Sequence, residues 1–520
     1  MGLFGWLFKR SKPSRKRYVS GFAAAKQDRL TADWILPGRL GVDQLLKWSL
    51  SKIRERSRDL ARNDDYMRQF LRMLEANVVG PHGIKLQAKV RAKDDSLDVR
   101  ASRLVEEAWI RWGKRFASVN GDMTLREILR LALISVARDG EIFIRIIRGA
   151  DNPFGFTLQL IEADFLDERF SEVRPDGRKI VMGVEKGEWG RPLAYWFYDQ
   201  HPGENGGITT AKQVRVPAED IIHLFVRDYV SQTRGIPWAH SAILKLRMLG
   251  AYQEAEVVAA RVSAAKMGFY VETLDAPYQG GDEEETLISE VEPGILEKLP
   301  PGVDFKPFDP GKPNAEFGDF CKAILRSVAS GLGCSYNILA NDYEGVNYSS
   351  LRAAKLSERD VWMALQQWLI DKVLERIFEE WLNFAILTKQ LPFSASDVPR
   401  LANVRWQPRR WDWVDPLKDV QAKILEIQHG LTSRTRVCAE RGIDFEDVLE
   451  ELRREKELMD KYGVQIIQAG EKPIITVESE GEEEPSGRII FDVGENLRKI
   501  KESLKAGGNG NGKRVQTISE

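Results

Sequence analysis

The sequence predicts an α+β protein that contains several folding units. Its 520 residues exceed the size of one ordinary hydrophobic core, so three or four units are expected. Stretches with the helical spacing of apolar residues flank a region of short β-branched and aromatic runs. Hydrophobic residues make up 43% and charged residues 30%, as in folded globular proteins.

The chain is predicted to begin with helices after a basic arm. Apolar residues follow helical spacing from about Leu45 to Asn77, and the Gly80-Pro81 pair ends that stretch. Two further helices are expected near Leu97 to Phe116 and Leu125 to Arg138.

Short strands are predicted to follow these helices. Gly, Pro and Asp separate the runs, and Arg174-Pro175-Asp176-Gly177 has the composition of a hairpin turn. The predicted strands are Glu141 to Arg148, Phe156 to Ile161, Ile180 to Val184, Pro192 to Tyr198 and Asp220 to Val226.

Small side chains predict a helix that other helices can approach closely. The stretch from Ala239 to Met267 lacks proline, and half of the sixteen residues from Gly250 to Ala265 are Gly, Ala or Ser. A Pro- and Gly-rich segment follows over residues 268–313, and a second helix is expected from about Asn314 to Gly331.

A run without proline or glycine from Leu351 to Leu387 predicts a helix of roughly 55 Å, at about 1.5 Å per residue. Its apolar residues are spaced by four, so the stripe winds by about 40° per step and one subunit is not expected to bury all of it. The stripe is Val361, Leu365, Leu369, Val373, Ile377 and Trp381. A shorter helical pair is expected to end near Tyr462.

Charge and cysteine content exclude several classes of protein. Lys plus Arg total 77 and Asp plus Glu total 78, which opposes a protein that binds DNA tightly through many phosphates. The cysteines Cys321, Cys334 and Cys438 lie far apart, which opposes a disulfide framework or a cysteine zinc site. No apolar run approaches the length of a membrane span.

Motifs that would indicate catalysis are incomplete. In Gly507-x-x-x-x-Gly512-Lys513-Arg514, the arginine stands where a phosphate-binding loop needs Ser or Thr for magnesium, and no strand precedes it. No His-Glu-x-x-His motif occurs, and His223 within a predicted strand is interpreted as a hydrogen-bonded structural residue. Pro175-Asp176 lacks a following Glu-x-Lys. No catalytic residue, metal or cofactor is therefore expected.

A series of short strings, in order along the chain, resembles the portal proteins of lambda-like phages from about Phe22 to Val464. The strings are Arg62-Asn63-Asp64-Asp65-Tyr66, Asn77-Val78-Val79-Gly80, Asp139-Gly140-Glu141, Leu158-Gln159-Leu160-Ile161-Glu162-Ala163-Asp164, Arg191-Pro192-Leu193-Ala194-Tyr195-Trp196, Gln232-Thr233-Arg234-Gly235-Ile236-Pro237-Trp238, Asn347-Tyr348-Ser349-Ser350-Leu351-Arg352 and Trp413-Val414-Asp415-Pro416.

The resemblance implies a phage portal fold, α+β overall, assembled as a ring of twelve subunits. The implied parts are a basic N-terminal arm (1–21), an α/β wing (22–238), a first stem helix (239–267), a small β-containing clip (268–313), a second stem helix (314–332), a tunnel loop (333–349), a long helix from wing to crown (350–390), a C-terminal wing and helical crown (391–464), and an acidic, Gly-rich tail (465–520).

The function that the resemblance implies is a non-enzymatic DNA channel at one capsid vertex, which serves genome packaging, head–tail joining and ejection. The implied partners are double-stranded DNA, the terminase large subunit, a head–tail connector, and the major capsid and scaffolding proteins, with no membrane. The protein is expected in the host cytoplasm during assembly and then in the virion. The alternatives from other classes are a packaging nuclease or ATPase and a general DNA-binding protein.

Three groups of residues are candidate sites. In the first stem helix, Lys245, Arg247, Glu254, Arg261 and Lys266 suit either channel lining or salt bridges between subunits, and the sequence leaves both open. By composition Asn341, Asp342, Tyr343, Asn347 and Tyr348 form a surface turn, but the resemblance places them with Arg352 at the channel's narrowest point. The clip's acidic run, Asp282, Glu283, Glu284 and Glu285, is the expected terminase and connector contact.

Overall fold

The computed structural model describes residues 38–92, 94, 96–204, 211–264, 268–272, 303–307, 316–411, 416–441, 443 and 445–462. The basic arm, Lys266, the acidic run 282–285 and the tail after residue 464 lie outside the described residues. The chain divides into two compact units, Met1–Val420 and Gln421–Glu520.

Helices dominate both ends of the described chain. None of the described helices is both long enough and apolar enough to cross a membrane. The helices are α1 (Val42–Asn63), α2 (Asp65–Leu74), α3 (Val99–Arg115), α4 (Leu125–Asp139), α5 (Ile243–Ala264), α6 (Phe317–Leu332), α7 (Tyr336–Leu339), α8 (Tyr348–Leu369), α9 (Glu375–Leu387), α10 (Val398–Leu401), α11 (Pro416–Gln428), α12 (Arg434–Glu440) and α13 (Phe445–Tyr462).

Among the described residues, the named strands pair antiparallel and form sheets in the orders β3-β2-β9, β4-β5-β6-β7-β8, β1-β12 and β10-β11. The strands are β1 (Lys85–Ala88), β2 (Ile142–Arg148), β3 (Phe156–Ile161), β4 (Glu172–Val173), β5 (Lys179–Val181), β6 (Val184–Lys186), β7 (Pro192–Tyr198), β8 (Gln213–Pro217), β9 (Ile221–Leu224), β10 (Gly268–Glu272), β11 (Val303–Pro307) and β12 (Val404–Gln407).

The first predicted helix is divided into two. Asp64 is extended, with φ −107° and ψ 126°, and its carboxylate accepts a hydrogen bond from Met67 N at 2.7 Å. An aspartate in this conformation ends α1 and caps α2. The helical stretch then closes as predicted at Gly80, whose φ of +75° is easy for glycine alone.

One predicted strand is wrong and one prediction of a turn is confirmed. The run from Ile180 to Val184 is two strands, because Met182 and Gly183 turn the chain between β5 and β6 with φ values of 51° and 83°. The turn at residues 174–177 joins β4 to β5, and Gly177 N donates to Arg174 O at 3.0 Å.

The long helix buries more of its apolar stripe than its spacing predicts. A π-helical turn at Ile370–Leu374 connects α8 to α9. Because a π turn holds more residues than an α turn, it offsets part of the winding of residues spaced by four. Val361 stays 43% exposed, but the four stripe residues from Leu369 onward are fully buried within the chain. One chain thus covers the later part of the stripe but leaves Val361 exposed and Leu365 partly exposed, so the prediction that one subunit does not bury all of it is confirmed.

An aromatic cluster joins this helix to the N-terminal helices. The ring of Trp109 on α3 lies 5.0 Å from that of Trp381 and 5.5 Å from that of Phe378, both in edge-on geometry. Such pairs contribute roughly 0.5–1.5 kcal/mol each beyond the burial of their area. The long helix is therefore fixed firmly to the body of the first unit.

The described residues of the second unit, 421–441, 443 and 445–462, are mostly helical. The predicted helical pair is three helices, of which α11 begins just before the unit boundary and α13 ends at Tyr462 as predicted. Ser433 caps α12 by accepting a hydrogen bond from Arg436 N at 3.2 Å.

Candidate functional site

Helices α5 and α6 pack side by side in opposite directions. Ser241 Oγ donates to Gly331 O at 3.4 Å, and Lys245 Nζ donates to Ser327 Oγ at 2.6 Å. Farther along, Leu249 is buried with Cys321 and Leu325 between the helices. The ribbon of β10 and β11 belongs to the segment between them, whose acidic run is outside the described residues.

Four of the candidate residues predicted in this region lie on the surface of α5. Lys245, Arg247, Glu254 and Arg261 are all exposed, and Lys266 lies outside the described residues. Exposure suits both interpretations of these charges, channel lining and contacts between subunits, so both remain predictions.

Helix α5 also exposes a row of apolar residues that the sequence analysis missed. Leu244 is 62% exposed, Met248 71% and Val258 50%, with exposed Ala251 and Ala255 between them. Their spacing alternates between four and three, which is the spacing of a coiled-coil seam. Arg247 and Glu254 directly precede the seam residues Met248 and Ala255. The two charged residues therefore occupy positions that flank the seam. The spacing was visible in the sequence, but only the structure shows which face of α5 its own chain covers.

The loop after α6 is braced by hydrogen bonds. Gly333 ends α6 in the left-handed conformation, with φ +69°. The Tyr336 hydroxyl donates to Asp342 Oδ2 at 2.6 Å, and Glu344 N donates to Oδ1 at 3.1 Å. The bond from Tyr336 is the main reason that the pKa of Asp342 lies below its ordinary value. Lys322 of α6 reaches Glu344 at 3.2 Å.

The other loop residues have distinct roles in the fold. Asn347 caps α8, because its side-chain oxygen accepts from Ser350 N at 2.8 Å. Asn341 has a positive φ of 52°, and Tyr343 is half exposed. Arg352 is partly buried, and the side chain of Tyr348 is outside the described part of the structure. The carboxamide oxygen of Asn347 is thus already used to cap α8.

A buried ion network lies where the strands meet the segment that leads into α5. Glu141 is fully buried and accepts hydrogen bonds from Arg54 at 3.0 Å, Arg234 at 2.7 Å and Gly235 N at 2.9 Å. His223 Nε2 lies 2.9 Å from its second oxygen. Four neighbours therefore satisfy one carboxylate, and the prediction that His223 is a hydrogen-bonded structural residue is confirmed.

The pKa values of Glu141 and His223 are both lowered, although burial acts on the two groups in opposite directions. Burial by itself would raise the pKa of Glu141, but Arg234, His223 and Arg54 together hold it below the ordinary carboxyl value. Burial lowers the pKa of His223, and the neighbouring Glu141 only partly opposes this. The favoured state is a carboxylate beside a neutral imidazole that donates from Nε2.

Arg234 also joins separate segments of backbone. It is fully buried and donates to the carbonyl oxygens of Ala163 at 3.1 Å, Leu166 at 3.0 Å and Met182 at 2.9 Å. Four residues after Arg234, Trp238 N donates to Ala137 O at 3.0 Å. These bonds fix the segment before α5 to the strands and to α4.

Two glycines permit this arrangement. A Cβ atom on Gly140 would lie 2.6 Å from Gly235 O, and one on Gly235 would lie 2.0 Å from Gly140 O. No side chain fits at either distance. The sequence analysis used Asp139-Gly140-Glu141 and Thr233-Arg234-Gly235 as separate strings, and their contact required the structure.

One cluster has the residue types of a metal site. Glu162, Asp164 and His201 bring one ligand atom each within 4.8 Å of the others. However, Arg58 Nη1 lies 2.5 Å from Asp164 Oδ2, and Gly203 N donates to Nδ1 of His201 at 3.1 Å. A histidine that accepts at Nδ1 carries its proton on Nε2, the atom that would bind the metal. The cluster is better explained by its ion pairs.

Sequence comparison places the chain among named relatives. The family described as phage portal protein, lambda family, matches residues 27–366. A probable portal protein of Halomonas phage phiHAP-1 is 34% identical over 493 residues, which cover 92% of this chain and 95% of that protein. Portal protein B of Escherichia phage lambda is 24% identical over 473 residues, covering 81% of this chain and 86% of that protein.

Solved structures also resemble the chain, at low similarity. A chain in the neck of an empty gene transfer agent particle matches with a TM-score of 0.42 and 16% identity, covering 76% of this chain and 93% of that one. Family assignment rests on the sequence matches, since a TM-score this low does not identify a fold by itself. The family match spans more than half of the sequence and the Halomonas phage relative exceeds 30% identity over nearly all of it, so this chain belongs to the lambda family of phage portal proteins.

Proposed function

We propose that this chain assembles into a closed ring that forms the DNA channel at one capsid vertex. The observation that carries the proposal is the apolar row on α5, from Leu244 to Val258, which the subunit's own chain leaves exposed. Full burial of a large aliphatic side chain is worth about 1.5–3 kcal/mol, so such a row favours association.

A ring is the form of association that suits this row. The row and any different surface that covers it make a heterologous contact, which closes into a ring when the rotation per subunit divides a full turn. The family resemblance leads us to expect about twelve subunits. The rigid attachment of the segment before α5, through Arg234, would hold each copy of the stem at one angle.

The proposed channel passes double-stranded DNA without holding it. The chain has a formal net charge of −1, and Glu254 stands between Arg247 and Arg261 along the helix. Mixed charges avoid the continuous basic stripe that would trap DNA through counterion release. The tunnel-loop residues Asn341, Asp342, Tyr343, Asn347, Tyr348 and Arg352 are proposed to contact the duplex independently of sequence.

The other partners of the proposed portal are assigned to other surfaces. The acidic run from Asp282 to Glu285 would bind a basic surface of the terminase large subunit, and later the head–tail connector. Major capsid and scaffolding proteins would surround the ring, and the basic arm would take part in that assembly. The mature protein would then remain in the virion.

This function requires no catalytic chemistry from the chain. Within the described residues, Glu141 and His223 are strongly influenced by burial and by each other, but neither can reach a substrate because both are enclosed. Purified protein is therefore expected to hydrolyse neither nucleotide nor DNA, which a phosphate-release assay and a nuclease assay would check.

Native mass spectrometry of the purified chain tests the ring. The parent chain should form a closed species near twelve subunits, and Met248→Asp should shift it toward monomers because the substitution places a charge in the row. Leu387→Asp is a matched control, since Leu387 is 73% exposed on α9 and away from α5. A parent chain that stays monomeric at every salt and protein concentration would contradict the proposal, as would rings of Met248→Asp as abundant as those of the control.

A further inference from the structure

We infer that the apolar row of α5 packs against the outer face of α6 in the adjacent copy, in a register that pairs Glu254 with Arg326 and Arg261 with Asp319. The inference rests on the proposed ring and specifies its contact. The occupant of the exposed face is thus a second copy of this chain.

Helix α6 has two faces that differ in burial. Its inner face, which includes Cys321, Leu325 and Val328, is buried. Its outer face exposes Asp319, Ala323, Arg326 and Ser330, which also follow a spacing of four, three and four. Small residues alternate with charged ones on this face, so another helix can approach closely while its flanking charges find partners.

The direction of packing follows from symmetry. Within one chain α5 and α6 are antiparallel, as the contacts Ser241–Gly331 and Lys245–Ser327 establish. A cyclic ring keeps every copy in the same orientation relative to its axis. The α5 helix of one copy therefore meets α6 of the adjacent copy in antiparallel orientation too.

In one possible register, α5 and α6 of adjacent copies lie at the same relative heights as α5 and α6 within one chain. The charges on the two helices exclude this register. In that register, Arg247 would lie opposite Arg326 of the adjacent copy, and Glu254 would lie opposite Asp319 of the adjacent copy. Like charges directly opposed are unfavourable. A slide of seven residues, about 10.5 Å along the helix, brings Glu254 opposite Arg326 and Arg261 opposite Asp319. Helices inclined to the ring axis slide past one another in this way.

The same slide also fits the apolar residues. It brings Val258 beside Ala323 and Ala251 beside Ser330, so that a large side chain meets a small one and two small ones meet. The opposite slide would carry Glu254 beyond Phe317, where α6 begins, and would leave only about two turns of helix in contact. One register therefore satisfies charge, size and overlap.

Disulfide trapping tests the register directly. In a full-length background with Cys321→Ala, Cys334→Ala and Cys438→Ala, the pair Val258→Cys with Ala323→Cys should form a ladder of covalent oligomers on oxidation. A disulfide needs Cβ atoms roughly 3.5–4.5 Å apart. The control pair Ala251→Cys with Ala323→Cys corresponds to the register that α5 and α6 have within one chain. It should give less than a tenth of that yield.

The outcomes separate the register from the ring. If native mass spectrometry shows rings but the control pair crosslinks better, the register is wrong. Rings in which neither pair crosslinks would overturn the proposed contact between α5 and α6. Absence of rings from the parent chain would instead contradict the proposed function.

Charge reversal gives an independent test that needs no cysteine. Glu254→Arg should reduce the ring fraction at low salt several-fold, because it opposes Arg326 of the adjacent copy. Adding Arg326→Glu should restore the ring, whereas adding Asp319→Arg should not. Restoration by neither second substitution, with rings still formed by the parent, would overturn the proposed pairing.

Discussion

Arg234 Nε donates a hydrogen bond to Glu141 Oε1 at 2.7 Å, and neither side chain is exposed to solvent. Through this pair, the backbone that precedes α5 is bound to Glu141, the residue directly before β2. The other N–H groups of the arginine donate hydrogen bonds to the backbone carbonyl oxygens of three further residues. The segment that leads into α5 is thus held by a buried arginine whose donors all have partners.

Removal of Arg234 should destabilise the protein strongly. Arg234→Met leaves Glu141 buried without its main partner, and a broken buried pair costs about 3–5 kcal/mol. Arg178→Met is the control, because its ion pair with Glu185 is half exposed and worth about 0–1 kcal/mol. Urea unfolding followed by tryptophan fluorescence measures both. Equal midpoints for the two variants would contradict the role assigned to Arg234.

Stability should fall as the pH falls below about 6.5. The pKa of His223 is lowered from 6.5 in the folded state, so the unfolded chain binds a proton first and the folded state loses stability. Glu141, whose pKa is also lowered, adds a further loss as the pH falls below its ordinary 4.5. Thermal unfolding between pH 7.5 and 5 should show this slope, and His223→Gln should flatten it. An unchanged slope in that variant would remove His223 as its source.

Substitution of Gly235 should destabilise the protein, whereas substitution of Gly250 should not. Gly235→Ala forces a Cβ to within 2.0 Å of Gly140 O, so the two backbones must separate and the hydrogen bond to Glu141 is lost. Gly250→Ala has open space on α5 and should stabilise the monomer by about 0.5–1 kcal/mol. Melting temperatures compare them, and the account predicts shifts of opposite sign.

The proposed tunnel loop, residues 333–349, offers a way to separate capping of α8 from contact with DNA. Asn347→Ala with Tyr348→Ala should leave ring assembly and capsid incorporation normal but reduce the length of DNA that is packaged or retained. Loss of the cap alone costs about 1 kcal/mol. Asn347→Ser keeps a capping oxygen without the amide, so full packaging by Asn347→Ser with Tyr348→Ala would show that capping, not contact, explained the defect.

The acidic run at residues 282–285, the proposed terminase contact, should affect binding of the terminase and not assembly of the ring. Reversing Glu283, Glu284 and Glu285 to lysine should weaken binding of the terminase large subunit by at least tenfold, because complementary charge is lost. Sedimentation of the ring with and without terminase measures this. Unchanged binding would remove this assignment.

Local elements were predictable from the sequence because their signals are local. The limits of α4 follow from Thr124 and Gly140, a capping box at one end and a left-handed glycine at the other. The pair Met182 and Gly183 was missed, since a tight turn inside an apolar run looks like one continuous strand. The π turn at Ile370 was also invisible, because its residues have ordinary helical composition.

Contacts between distant segments were beyond the sequence. Glu141 and Arg234 stand 93 positions apart, and nothing in either string shows that they meet. The spacing of the exposed row on α5 was visible in the sequence. However, an apolar seam that faces solvent has the same spacing as one that faces the core. Family resemblance gave the order of the parts, which spacing alone did not.

Electron microscopy of the purified full-length chain tests the proposed ring by direct observation. We expect closed rings near twelve subunits with an open axial channel, in which α5 of each copy contacts α6 of the next. Monomers, or open filaments without a channel, under conditions that keep the chain folded would contradict it.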